Sequence, residues 1–167
     1  MKYQELPRIR RSGVARSLGL VAWLALCFSA ALTGVLFPPD AWYGALEKPA
    51  WNPPSWIFGP VWTLLYFLMG VAAWLVWSRR GWRAPGLPMV WFLAQLALNA
   101  LWTPLFFGMQ NPAAAFVCIL LLVTAIAGTM RAFHRAGEPV AAVLLAPYLA
   151  WTSFATVLNF TLWRMNA

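Results

Sequence analysis

The chain has 167 residues, 62% of them hydrophobic and only 10% charged, with a mean hydropathy of +0.68. That leaves too little polar surface to coat a soluble globule of this size, so the composition indicates a membrane protein. The formal charge of +8 does not point to nucleic acid, because the basic residues fall in short clusters at the ends of apolar runs and a basic groove needs a soluble face to line.

In chain order, residues 1–16 form a basic tail, with Lys2, Arg8, Arg10, Arg11 and Arg16 against Glu5 alone. Ser17 to Phe37 is the first apolar run, closed by Pro38 and Pro39. A signal peptide is the rival reading, but its core would be only about 7 to 15 residues and would precede an exported soluble domain. The run is therefore taken as the first transmembrane helix.

Trp42 to Trp77 holds six of the twelve tryptophans. Its first part, through Pro54, is expected to be irregular, since Pro49, Pro53 and Pro54 remove backbone donors. From Ser55 to Trp77 there is no ionisable side chain, which is long enough to cross a hydrocarbon core of roughly 30 Å. A tryptophan-rich loop thus sits on the mouth of the second helix.

Ser78 to Pro88, with three arginines and Gly81, Pro85, Gly86 and Pro88, reads as a short basic loop. Met89 to Phe107 is the third span. Gly108 to Pro112 is barely long enough to turn, so the third and fourth helices should be antiparallel neighbours. Ala113 to Met130 is the fourth span, Arg131 to Pro139 the next loop, and Val140 to Trp163 the fifth span. Residues 17–167 are therefore expected to form one all-α domain, a bundle of five transmembrane helices.

Ten of the twelve Lys and Arg residues lie in the tail, the second loop and the fourth loop, on one side of such a bundle; only Lys48 and Arg164 lie on the other. By the positive-inside rule, which describes insertion into an inner or plasma membrane and does not itself choose between inner and outer membrane, the N-terminus is cytoplasmic and the tryptophan loop and C-terminus lie outside; a bacterial inner membrane is the expected location. Within the spans there is no Asp, Glu, Lys, Arg or His, which argues against a pump or ion-coupled transporter. Cys27 and Cys118 lie far apart in apolar runs with no CxxC pattern, so they read as small core residues; His134 reads as a solvated loop residue.

The spans do carry aromatic and amide groups at helical spacing. Trp62 and Tyr66 are i,i+4; Gln95, Asn99 and Trp102 are i, i+4 and i+7; Trp151, Ala155, Leu158 and Asn159 are i, i+4, i+7 and i+8. If these faces converge they enclose an apolar slot walled by indoles, suited to a flat, mostly apolar ligand. Set against this, Trp and Tyr also anchor helices at the membrane interface, the role expected for Trp42, Trp56, Trp74, Trp77, Trp82 and Trp163, and amides serve as interhelical glue. Ala142, Ala146 and Ala150 form a small-residue ridge at i, i+4 and i+8, and Thr124 with Gly128 a shorter one, where helices could approach closely.

The strings WYGALEKPAWNPPSW, GPVWTLLYFLMG, QLALNALWTPLFFG and PYLAWTSFATVLNF, in this order, resemble those of the translocator protein family, also called the tryptophan-rich sensory protein or peripheral-type benzodiazepine receptor family. The resemblance runs roughly from Thr33 to Asn166. It implies a homodimeric five-helix bundle whose pocket, beneath the first loop, binds porphyrins and, in animal members, cholesterol and benzodiazepine-type drugs. Carried over by position, it implies a pocket of Tyr43, Trp51, Trp62, Tyr66, Asn99, Trp102, Trp151, Ala155 and Leu158. In members that degrade porphyrin under light, tryptophans similar to Trp62 and Trp151 are implicated. Two departures stand out. Cys118 occupies a place where many relatives carry an acidic residue, and Leu158 to Arg164 offers Phe160 and Thr161 where the animal sterol motif asks for a Tyr.

The expected function is thus that of an integral membrane, tetrapyrrole-binding sensory or regulatory protein with no metal and no resident cofactor. A light-dependent porphyrin-degrading enzyme and a passive porphyrin or lipid translocator remain the alternatives. The charge asymmetry makes a direct prediction. A reporter fused after Ala167 is expected to be active outside the cytoplasm; cytoplasmic activity would mean that the span count or the membrane is wrong.

Overall fold

The computed structural model describes residues 12–80 and 86–167. Most of the basic tail and the centre of the second loop, Trp82 included, lie outside these residues. Among the described residues there is no strand, and five helical stretches are long and apolar enough to cross a membrane.

The first stretch comprises α1 (Gly13–Ser29) and α2 (Leu32–Leu36). Ser12 caps α1 through a bond accepted from the Ala15 amide, so the helix begins four residues before the apolar run. Between α1 and α2, Ala30 and Ala31 are held by short-range bonds to Cys27 O and Phe28 O, and the Thr33 hydroxyl donates to Ala30 O. The first loop is not wholly irregular: α3 (Ala41–Ala45) forms within it, capped by Asp40, whose carboxylate accepts from the Tyr43 amide. Its residues precede Pro49 by enough that no proline removes one of its donors.

A short 3-10 turn, Ser55–Ile57, leads into α4 (Phe58–Arg80), and α5 (Leu87–Thr103) follows the second loop. At Pro104, which has no N–H to give, α5 loosens into a π-type turn, Pro104–Gly108, closed by the Met109 amide on Pro104 O. Next comes α6 (Pro112–Arg135), with Asn111 as its cap and Pro112 at its first position.

The fourth span outlasts the apolar run. Arg131, His134 and Arg135 were expected in a loop but lie on α6, where cations complement the carbonyl end of a helix. The stop comes at Gly137, whose φ of +76° is the left-handed conformation that ends helices. The fifth span is likewise not continuous. It is α7 (Pro139–Val143) followed by α8 (Ala146–Met165), separated at Leu144–Leu145, with Pro147 in the first turn of α8. This break dismantles the expected alanine ridge: Ala142 is buried in the core, whereas Ala146 and Ala150 face outward.

Helix contacts close a ring. α1 packs on α4, α4 on α7, α7 and α8 on α6, α6 on α5, and α5 on α2. The third and fourth spans are the antiparallel neighbours that their short connection requires. At one end the first loop meets the α5–α6 turn and the end of α8, through Gln110 Nε2 to Asp40 Oδ2 at 3.1 Å and a two-way pairing of the Asn166 side chain with the Glu47 backbone at 2.9 and 3.0 Å. At the other end the buried Glu138 carboxylate accepts from Arg79 at 2.7 Å.

Aromatic rings fill the core at the Arg79 end, with Trp23 edge-on to Phe92 and Phe92 stacked on Phe133. Trp77, expected as an interface anchor, is instead buried against Gly19, while Trp56 is well exposed and Trp74 donates its indole N–H to Arg16 O. Both cysteines are buried and unbridged. Gly128, one of the shorter ridge's two residues, is covered by Trp91.

The tightest backbone approach is that of α1 to α4, where a Cβ on Gly70 would stand 2.7 Å from Leu24 Cδ2 and 3.1 Å from its Cα. Gly70→Val should therefore destabilise the bundle by about 1–3 kcal/mol, read as a lower melting temperature in detergent. Gly13→Ala, with open space around it, is the matched control and should cost nothing.

Candidate functional site

Beneath the first loop lies a cavity of about 840 Å³. This falls within the roughly 300–1,000 Å³ usual for small-molecule sites. All five spans and the loop reach it. The α1–α2 junction supplies Ala30, Ala31 and Gly34, small residues that keep this wall thin, and the π-type turn supplies Phe106 and Phe107. Gly108 lets Phe37 close one corner, since a Cβ there would lie 2.6 Å from the Phe37 ring.

Eight of the nine residues expected in a pocket line this cavity: Tyr43, Trp62, Tyr66, Asn99, Trp102, Trp151, Ala155 and Leu158. Trp51 is placed differently. It is 47% exposed and sits behind the wall with its ring edge on Phe154, 5.9 Å between centroids. Phe154 in turn rests against Trp151, so Trp51 touches the site through two rings. Gln95, at helical spacing from Asn99, is fully buried in the bundle away from the cavity, and neither end of its amide is hydrogen-bonded.

Two polar chains hold the walls at fixed spacing. In the first, the Tyr66 hydroxyl of α4 donates to Asn99 Oδ1 of α5 at 2.9 Å, and Asn99 Nδ2 donates to the Tyr148 hydroxyl of α8 at 3.0 Å. In the second, Trp102 Nε1 donates to Asn159 Oδ1 at 3.1 Å, and Asn159 Nδ2 donates to Pro112 O at 2.9 Å. The amides are thus interhelical glue and cavity lining at once. They leave the floor with its strongest polar groups satisfied by protein, as hydrocarbon surroundings require.

Ring contacts finish the walls. Trp62 stacks on Tyr66 at 5.3 Å and meets the edge of Tyr148 at 6.2 Å; Phe58 stands edge-on to Trp151 at 5.8 Å; Trp102 stacks on Phe106 at 5.0 Å. From the loop, Tyr43 packs edge-on to Phe107 at 5.3 Å. Burial pushes the Tyr43 hydroxyl above its ordinary pKa, and the nearby Asn52 side chain opposes that without reaching hydrogen-bond geometry. Cys118 lies off the cavity with its thiol on Leu98 O at 3.4 Å.

Several lining residues were not singled out from the sequence. Tyr148, which braces the wall from behind without lining the cavity, could have been found, for it precedes Trp151 by three positions. Phe106 and Phe107 could not, because both point inward only through the π-type turn at Pro104. The lining contains no carboxylate, imidazole or thiol, and Lys48 is its one cation among the described residues. Chemically, the arrangement offers a large aromatic surface, π faces and edges, and a single positive charge at the loop.

Comparison with known proteins agrees with this geometry. The sequence profile of the TspO/MBR family matches residues 18–164. The chain is 45% identical over 146 residues to the tryptophan-rich sensory protein of Cereibacter sphaeroides, covering 87% of this chain and 90% of that one. It is 45% identical over 154 residues to the tryptophan-rich protein TspO of Chlorobaculum tepidum, covering 89% and 96%. With the human translocator protein it shares 45% identity over 127 residues, 75% of each chain. The aromatic cavity, the five apolar spans and these matches place the chain in the TspO/MBR family of integral membrane sensory and translocator proteins.

Proposed function

We propose that this protein binds a tetrapyrrole in the cavity beneath its first loop and reports on or regulates its level. The observation that carries the reading is the cavity itself, within which Trp62, Tyr66, Trp102, Phe106 and Trp151 present aromatic surface from three spans. A flat macrocycle gains apolar burial and offset or edge contacts with such rings. The charge distribution supports an inner-membrane protein with a cytoplasmic N-terminus, and the family resemblance supports a homodimer; both are part of the proposal.

A second reading, light-dependent degradation of the bound porphyrin, draws on the placement of Trp62 and Trp151 in the same wall, since an indole beside a photoexcited ring can give up an electron. Binding is preferred because the described lining offers no side chain of carboxylate, imidazole or thiol type for acid, base or nucleophilic work.

Protoporphyrin IX added to the purified protein in non-ionic detergent should quench tryptophan emission saturably. Linear quenching, equal to that of an unrelated tryptophan-rich membrane protein, would remove the pocket reading. Asn99→Leu strands the Tyr66 and Tyr148 hydroxyls and should cost about 1–3 kcal/mol of stability, with a matching loosening of porphyrin binding. Trp62→Phe separates the two readings. Binding alone predicts dark affinity changed by no more than a few-fold and equal, slow bleaching of porphyrin in both proteins under steady light. Rapid protein-dependent bleaching by wild type alone would make the enzyme reading primary.

A further inference from the structure

We propose that Lys48 is a specificity determinant of the cavity, selecting ligands that carry an anionic group and holding that group against the first loop; this rests on the porphyrin-binding reading above. Lys48 is the single cation among the described lining residues, and it belongs to the roof. Its ammonium donates to Gly44 O at 3.2 Å and Leu46 O at 3.0 Å, and stands 4.7 Å from the centroid of the Tyr43 ring. An ammonium has three donors, so one remains, and all its described partners are neutral. Among the described residues no carboxylate pairs with it.

The other polar groups of the cavity divide in a way that gives the ligand a direction. At the floor, both ends of Asn99 and Asn159 and the Trp102 N–H are already engaged by protein atoms. A carboxylate placed there would meet no free cation and would lose its hydration. At the roof, Lys48 has a free donor and an uncompensated charge. The apolar body of an amphiphilic acid therefore belongs between the indoles, and its ionised end beneath the loop. There a charge-assisted bond to Lys48 forms in surroundings drier than bulk water. The contacts that Lys48 already makes within the loop hold its ammonium in place, so little side-chain freedom is lost on binding.

The test compares protoporphyrin IX, a dicarboxylic acid, with its uncharged dimethyl ester, by quenching titration in non-ionic detergent at neutral pH. Wild type should bind the acid roughly 3- to 10-fold more tightly than the ester. Lys48→Met should lower acid affinity to the level of the ester while leaving ester affinity in place, and Lys48→Arg should keep the preference. Saturable binding of both probes to wild type with equal affinity, or a preference that survives in Lys48→Met, overturns the proposal and leaves the porphyrin reading standing. Should Lys48→Met lose both probes together through a damaged loop, the wild-type ratio and its retention in Lys48→Arg decide the matter. Failure of wild type to bind either probe removes both readings.

Discussion

A helix bundle in hydrocarbon has no water with which to satisfy a stray polar group, and the architecture of this protein follows from how it meets that constraint. Asn99 sits at the centre. Its two amide ends join Tyr66 on α4 to Tyr148 on α8, so three spans that are far apart in sequence are set at fixed distances by two bonds of about one length. Asn159 repeats the device between α8, α5 and the start of α6. The cavity is the space that these braces hold open. Without them, apolar helices free to slide would close on it, since packing density is what drives association in lipid.

Interruptions in the helices shape the cavity as well. The α1–α2 junction, the turn at Pro104 and the break before α8 lie in three different spans, and the first two contribute directly to the lining. Straight helices would meet along continuous seams. The breaks trade backbone regularity for a wall that bends, as is tolerated in membranes when the freed backbone groups face protein or a cavity. At the opposite end the packing is conventional and dense, with glycines that admit Trp77, Leu24 and Trp91.

Much of this was legible in the residues. Spans free of ionisable side chains gave the five crossings, and the i, i+4 and i+7 spacing of Trp62 with Tyr66, Asn99 with Trp102, and Trp151 with Ala155 and Leu158 gave the lining faces, because an α-helix fixes which side chains stand together. What escaped was whatever depended on departures from a straight helix. Phe106 and Phe107 turn inward through a π-type turn, Ala142 parts from Ala146 at the break between α7 and α8, and α6 runs on through its basic residues to Gly137. Trp51 and Gln95 show a different limit. Periodicity assigns Gln95 a face but not its neighbour, the family resemblance assigns Trp51 a role but not its packing, and only the assembled bundle puts Trp51 behind Phe154 and Gln95 away from the cavity.

Among the described residues few hydrogen bonds fasten the first loop to the rest of the bundle, and these lie at the surface, outside the ring contacts of Tyr43 and Trp51. Asn166 holds the Glu47 backbone at two points, and Gln110 holds Asp40 at one. Water-exposed hydrogen bonds of this kind contribute only about 0.5–1.5 kcal/mol each. Detaching the loop is thus far easier than separating the braced helices, and the two events belong to different timescales. On the proposed binding reading, exchange of a guest would follow the loop's own attachments, these bonds together with the Tyr43–Phe107 and Trp51–Phe154 ring contacts, rather than the melting point of the bundle. In that reading occupancy and exchange rate would vary separately, the walls setting the first and the attachments of the loop the second.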